Sequence, residues 1–168
     1  SHVGPKTSRQ VIAASRKPVA YSHCLPNGLK EHPRNKTDDE LRHIAECGGF
    51  IGVTMFPPFL RRGNEAAIGD YIEAMDYVID IAGEDAVGIG TDFTQGHGDE
   101  FMQWITHDKG YARQLTEFGA VKFPAGLGSI GDMANLTQGM ADAGWPESRI
   151  RKILGENWLA LLETAWDV

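Results

Sequence analysis

The sequence has 168 residues, 42% hydrophobic and 23% charged, with 20 glycines, which is the size of one ordinary core and excludes a disordered or fibrous chain. Its formal net charge is -7, from interspersed acidic and basic residues. No basic face is therefore available for nucleic-acid phosphates or an anionic bilayer, and nucleic acid is not an expected partner.

Read in chain order, a first helix is expected from about Thr7 to Ser15, followed by a strand at Pro18-Val19-Ala20-Tyr21-Ser22. A second helix begins after Thr37, which can cap it, with Glu40 at the capping-box position, and it should stop at Gly48-Gly49. The apolar run 49–56 reads as a strand buried on both faces, as in a parallel sheet. Ile68, Ile72, Met75 and Ile79 then place one apolar stripe on a third helix, ended by Gly83. A further buried strand covers 86–91, and 95–128 has no convincing period. That stretch reads as a long excursion in which His97, Trp104, His107 and Tyr111 could form a lid or simply pack. Two helical segments close the chain. One carries Ile130, Met133, Leu136 and Met140, the other Ile150, Ile153, Leu154, Trp158, Leu159 and Leu162, and both stripes are expected in the core.

Strand and helix alternating with short connections predict an α/β chain with a parallel sheet and right-handed crossovers. This pattern fits a small open sheet as well as about half of an eight-stranded barrel. Catalytic groups in such folds collect at the carboxyl ends of strands. His23 and Asp92 each follow a predicted strand, and His2 precedes a helix in the equivalent position. Neutral imidazoles are common zinc ligands. Each residue taken singly also suits a structural role, with Asp92 as a turn former and Arg34 in an ordinary surface ion pair.

Cys24 and Cys47 are expected to be buried or half-buried free thiols. No apolar run approaches the ~20 residues that span a bilayer, so a soluble portion is expected, with a cytoplasmic setting favoured. The chain opens at Ser1 without Met, so a signal peptide cannot be judged.

Ser1-His2-Val3-Gly4, then 17–23 (KPVAYSH), His32-Pro33-Arg34-Asn35, Asp38-Asp39 and 88–93 (GIGTDF), together with the closing segment 148–159, resemble the membrane (renal) dipeptidase family in order and spacing. The resemblance implies a zinc metallopeptidase with an amidohydrolase-like (β/α)8 barrel, of which 1–168 is the C-terminal half, about strands 5–8, with the N-terminal half absent. It implies that His2 and His23 bind one zinc of a two-zinc site and that Arg34 takes the terminal carboxylate of a dipeptide. Asp92 is implied to serve the metal-activated water and move its proton toward the leaving amine. The remaining ligands, a His-x-Asp pair and a bridging glutamate, are implied upstream of Ser1, as is a substrate-contacting histidine. The implied partners are the dipeptide, the missing half of the barrel and a second copy in a homodimer. The chain alone is expected to be inactive, and a non-catalytic half that binds small peptides or assembles with another chain is the alternative. Departures from the family pattern are Cys24 where Ser is common, Ala74 where His is common, and Thr94-Gln95-Gly96 in place of Asp-Gly.

Overall fold

The computed structural model describes residues 1–93, 96, 98, 100, 101, 104 and 121–166. Helix α1 (Pro5–Ala14) starts earlier than its apolar pattern suggests because Pro5, with its fixed φ and missing N–H, suits the first helical position. Strand β1 (Ala20–Cys24) leads to α2 (Asp38–Glu46), where the capping box forms: Glu40 N donates to Thr37 Oγ1 at 3.3 Å and Thr37 N donates to Glu40 Oε2 at 3.1 Å. Three acidic residues in its first turn, Asp38, Asp39 and Glu40, suit the positive end of the helix dipole. Strand β2 (Phe50–Val53) is buried throughout.

The apolar run continues past β2, but the chain leaves the sheet there. Thr54 Oγ1 donates to the Thr91 carbonyl at 3.3 Å and accepts from Phe56 N at 3.2 Å, turning the backbone before Pro57 and Pro58, which have no N–H for a ladder. Helix α3 (Ile68–Ala82) buries Ile72, Met75 and Ile79 of its predicted stripe, with Ile68 half-buried, and Gly83 at φ 81° terminates it. Strand β3 (Val87–Ile89) completes a parallel sheet of order β1-β2-β3, with α2 and α3 as the crossovers.

The closing segments differ from their expected stripes. Leu136 and Met140 of α4 (Met133–Asp142) are fully buried, but Ile130 lies in the turn before it and is 57% exposed. Helix α5 (Glu147–Arg151) runs through a wide π-type turn, 152–156, into α6 (Asn157–Trp166). The break at Gly155 rotates the downstream face, so that Trp158 Nε1 donates to the Ile89 carbonyl at 2.8 Å while Leu159 faces solvent; Leu154, within the wide turn itself, is also exposed. Cys24 is buried, its thiol pushed up to about 12 by desolvation, whereas Cys47 is exposed because it lies at the C-terminus of α2; both are free. Among the described residues no helix is long and apolar enough to cross a membrane. Of the excursion, His97, His107 and Tyr111 lie outside the described residues, and Trp104 is exposed and stacked on Phe101.

Candidate active site

The carboxyl end of the sheet brings the four predicted residues together, and a bulge in β1 aims the second of them, His23. Tyr21 pairs with Ile51 and Cys24 with Val53, so β1 spends three steps where β2 spends two. The extra residue falls at Ser22-His23. It fits because Gly52 on β2 and Gly90 just past β3 have no side chain: a Cβ on either would collide with the Ser22 carbonyl oxygen. Bulges re-aim side chains beside active sites, and here His23 is turned toward His2. Glycine inside a predicted strand was the available signal for this device.

His2 Nε2 and His23 Nε2 are 2.7 Å apart, with ring centroids at 4.8 Å and planes inclined by 63°. His23 Nδ1 lies 2.9 Å from Ser22 Oγ, and His23 N donates to Ser1 Oγ at 3.1 Å. Burial holds both imidazoles below the usual histidine range; Arg34 adds to this effect in each case, and the Asp92 carboxylate opposes it. Neutral rings are the form that ligates a metal. Tetrahedral zinc would hold two ring nitrogens roughly 3.3 Å apart, so these rings need to part by only about 0.6 Å. Among the described residues, no three or more His, Cys, Asp and Glu side chains gather to hold a metal ion. The pair therefore fits a metal as two donors and leaves the ligand set incomplete.

Arg34 sits on a loop closed by Lys36 N donating to the Leu25 carbonyl (2.8 Å) and Asn27 N to the Lys36 carbonyl (2.7 Å). Its guanidinium carbon lies 5.3 Å from the centroid of the Phe59 ring, and its backbone N donates to His32 Nδ1 at 3.1 Å. Arg34 Nε is buried and finds no hydrogen-bond partner among the described residues. Asn35, buried next to it, donates to the carbonyls of Lys30 (2.9 Å) and Phe59 (3.1 Å), which locks this loop to the 56–60 turn. Asp92 follows β3 at φ 56°, in the left-handed region, with Phe93 N donating to Thr91 Oγ1 at 3.2 Å. Non-glycine residues held there are uncommon and cluster at functional sites. The Asp92 carboxylate acts electrostatically on His2, His23 and Arg34. A planar cation with an unused buried donor, two neutral imidazoles and one exposed carboxylate thus share one mouth of the sheet.

The family model of membrane dipeptidase, peptidase family M19, matches residues 1–118. The chain belongs to that family. Among solved structures, an amidohydrolase from Pseudomonas aeruginosa is 59% identical with a TM-score of 0.95, over 100% of this chain and 52% of its own. A metallo peptidase from Rhodobacter sphaeroides, liganded with a phosphinate mimic of the dipeptide L-Ala-D-Ala, is 27% identical with a TM-score of 0.79, over 99% of this chain and 41% of its own. The dipeptidase ataJ of Aspergillus terreus is 28% identical over 170 residues, 100% of this chain and 36% of its own length. This M19 chain thus spans about half the length, or less, of these relatives. Sequence reasoning named the M19 chain's ligand and substrate candidates but missed the clearance at Gly52 and Gly90. It also missed Ser22, beside His23 Nδ1, and the burial of Lys36.

Proposed function

We propose that this chain is the C-terminal half of a zinc-dependent dipeptidase barrel, about strands 5–8, whose remaining strands and metal ligands come from upstream sequence. The observation that carries the reading is the approach of His2 Nε2 to His23 Nε2, 2.7 Å, at the carboxyl end of a parallel sheet. His2 and His23 hold the metal, one of two in the complete site. When bound, the metal supplies Lewis acidity and a nucleophile near neutral pH. Arg34 takes the terminal carboxylate of the dipeptide, for which a planar two-pronged donor is suited, and its guanidinium carbon lies over the Phe59 ring, 5.3 Å from the centroid. Anchoring that carboxylate places the scissile bond one residue away and selects dipeptides. Asp92 accepts a proton on its carboxylate and returns it to the leaving amine. The expected partners are the dipeptide, the other half of the barrel and a second copy of the protein.

The test is zinc content of the intact protein by elemental analysis after dialysis, together with dipeptide hydrolysis. Bound zinc in the wild type and its loss in His23→Ala and His2→Ala are expected; unchanged zinc in the double variant would remove both ligand assignments. The 168 residues expressed alone, given excess zinc, should hydrolyse no dipeptide and should associate through their open sheet edges. A monomeric, cooperatively folding, active product would overturn the half-barrel reading.

A further inference from the structure

A buried lysine lies behind the site, and none of the roles above uses it. Lys36 and Glu40, four residues on, are each 3% exposed. A lysine ammonium has three donor protons and no acceptor, and burying it is costly unless all three find partners. Three partners are present: the Val3 carbonyl at 3.0 Å, Glu40 Oε1 at 3.5 Å, and the Tyr21 ring, with its centroid 4.9 Å away. Glu40 also accepts from Thr37 N, so the ion pair is rooted in the start of α2. Residues 1–4 belong to no helix or strand. His2 in that stretch is flanked by Ser1, whose Oγ binds the His23 backbone, and by Val3, whose carbonyl is held by Lys36.

An exposed loop carbonyl can be satisfied by water, and an apolar side chain would fill the same volume at less cost. What a lysine adds is direction. We propose that Lys36 is a positioning residue: its ammonium pins the Val3 carbonyl so that His2 faces His23, and its backbone closes the loop that carries Arg34. One residue thus sets the spacing between the metal pair and the substrate-carboxylate donor. The inference rests on the reading of His2 as a metal ligand.

Three variants of the intact protein test it: Lys36→Met/Glu40→Gln, Glu40→Gln and Lys36→Arg. The amide introduced by E40Q keeps an acceptor for Thr37 N, and the double variant leaves no lone buried charge. Zinc affinity is measured by competition with a chromophoric chelator, and the unfolding midpoint on the metal-free protein. K36M/E40Q should bind zinc about 10- to 100-fold more weakly, with a metal-free midpoint no lower than that of E40Q, which retains the buried ammonium without its counter-charge. Both E40Q and K36R keep a donor for the Val3 carbonyl and should bind zinc like the wild type. Wild-type affinity in K36M/E40Q overturns the proposal, as does a loss in E40Q equal to that of the double variant. If K36M/E40Q does not fold, E40Q and K36R carry the test, and weakened zinc binding in either overturns it. Absence of zinc binding in the wild type is a separate result, which removes the ligand reading of His2 itself.

Discussion

The two ends of β3 use charge in opposite ways. At the amino end, Glu84 accepts from Lys152 Nζ at 2.7 Å and Arg149 Nε at 3.0 Å, while Lys152 also reaches Asp85 at 2.7 Å and Arg149 reaches Asp76 at 3.7 Å. These are partly exposed groups satisfied by one another, and they fasten the α5 region to the turn before the strand. At the carboxyl end, Arg34 keeps a buried Nε without a partner among the described residues, burial lowers the pKa of both imidazoles, and Asp92 stands exposed on left-handed backbone. Paired charges close a structure, whereas convergent charges left with spare hydrogen-bonding capacity are ready for a ligand. If that difference is functional, substitutions at the carboxyl end should damage chemistry and those at the amino end should affect only stability.

The largest effect is expected at Asp92. Asparagine tolerates the left-handed region nearly as well as aspartate, so Asp92→Asn preserves the turn and removes only the proton carrier. On the proposed function, kcat for a dipeptide should fall by about 10²- to 10⁴-fold with zinc content unchanged. Steady-state kinetics and elemental analysis check this, and loss of zinc along with activity would mark Asp92 as a structural or ligand residue instead.

The next effect tests the bulge. Gly90→Ala puts a Cβ into the Ser22 carbonyl, and overpacking of this kind costs about 1–3 kcal/mol. Because the collision falls on the bulge that aims His23, the metal affinity of G90A should drop as well. Gly69, near the start of α3, has nothing within 4 Å of a built Cβ. Gly69→Ala should therefore leave metal binding intact and stabilise by less than about 1 kcal/mol. Urea unfolding with zinc titration separates the two, and a G90A protein with native stability and zinc affinity would disprove the role of the clearance.

Arg34→Lys should have a smaller effect, because the charge remains while the fork is lost. An increase in KM of about tenfold is expected for free-carboxylate dipeptides, roughly one charge-assisted hydrogen bond, with zinc content unchanged. Amidated dipeptides should show no such change, and an equal loss on both substrates would argue against a carboxylate-binding role.

Local features were the legible ones. The Thr37–Glu40 box and the stop at Gly83 depend on residues within a few positions of each other, and both appear as read. The α3 stripe was visible because one face meets the sheet along the length of the helix. His2 and His23 were legible as a pair only through family spacing, since nothing local to either shows that a bulge 21 residues on turns one ring toward the other. Lys36 gave no signal in the sequence because its key partner, Val3, lies 33 residues away. The wide turn at 152–156, in which Leu154 is exposed and after which Leu159 faces solvent, is a single local feature that apolar periodicity does not encode.

The smallest effect belongs to Glu84, and it completes the contrast between the two ends. Hydrogen bonds from Lys152 and Arg149 hold the Glu84 carboxyl below its ordinary value of 4.5. A carboxylate with a depressed folded value contributes stability that is fully present above the unfolded value and is lost as pH falls through the folded one. Wild type should therefore exceed Glu84→Gln in unfolding midpoint at neutral pH, and the gap should close as pH falls below about 4.5. Salt should shrink the same gap, since the cluster is partly exposed. Zinc content and dipeptide kinetics at neutral pH should match the wild type, because Glu84 lies before β3 and the residues proposed to bind metal and substrate lie beyond its other end. A change in zinc affinity in Glu84→Gln would mean that the two ends of the strand are coupled, and the division between closing charges and working charges would not hold.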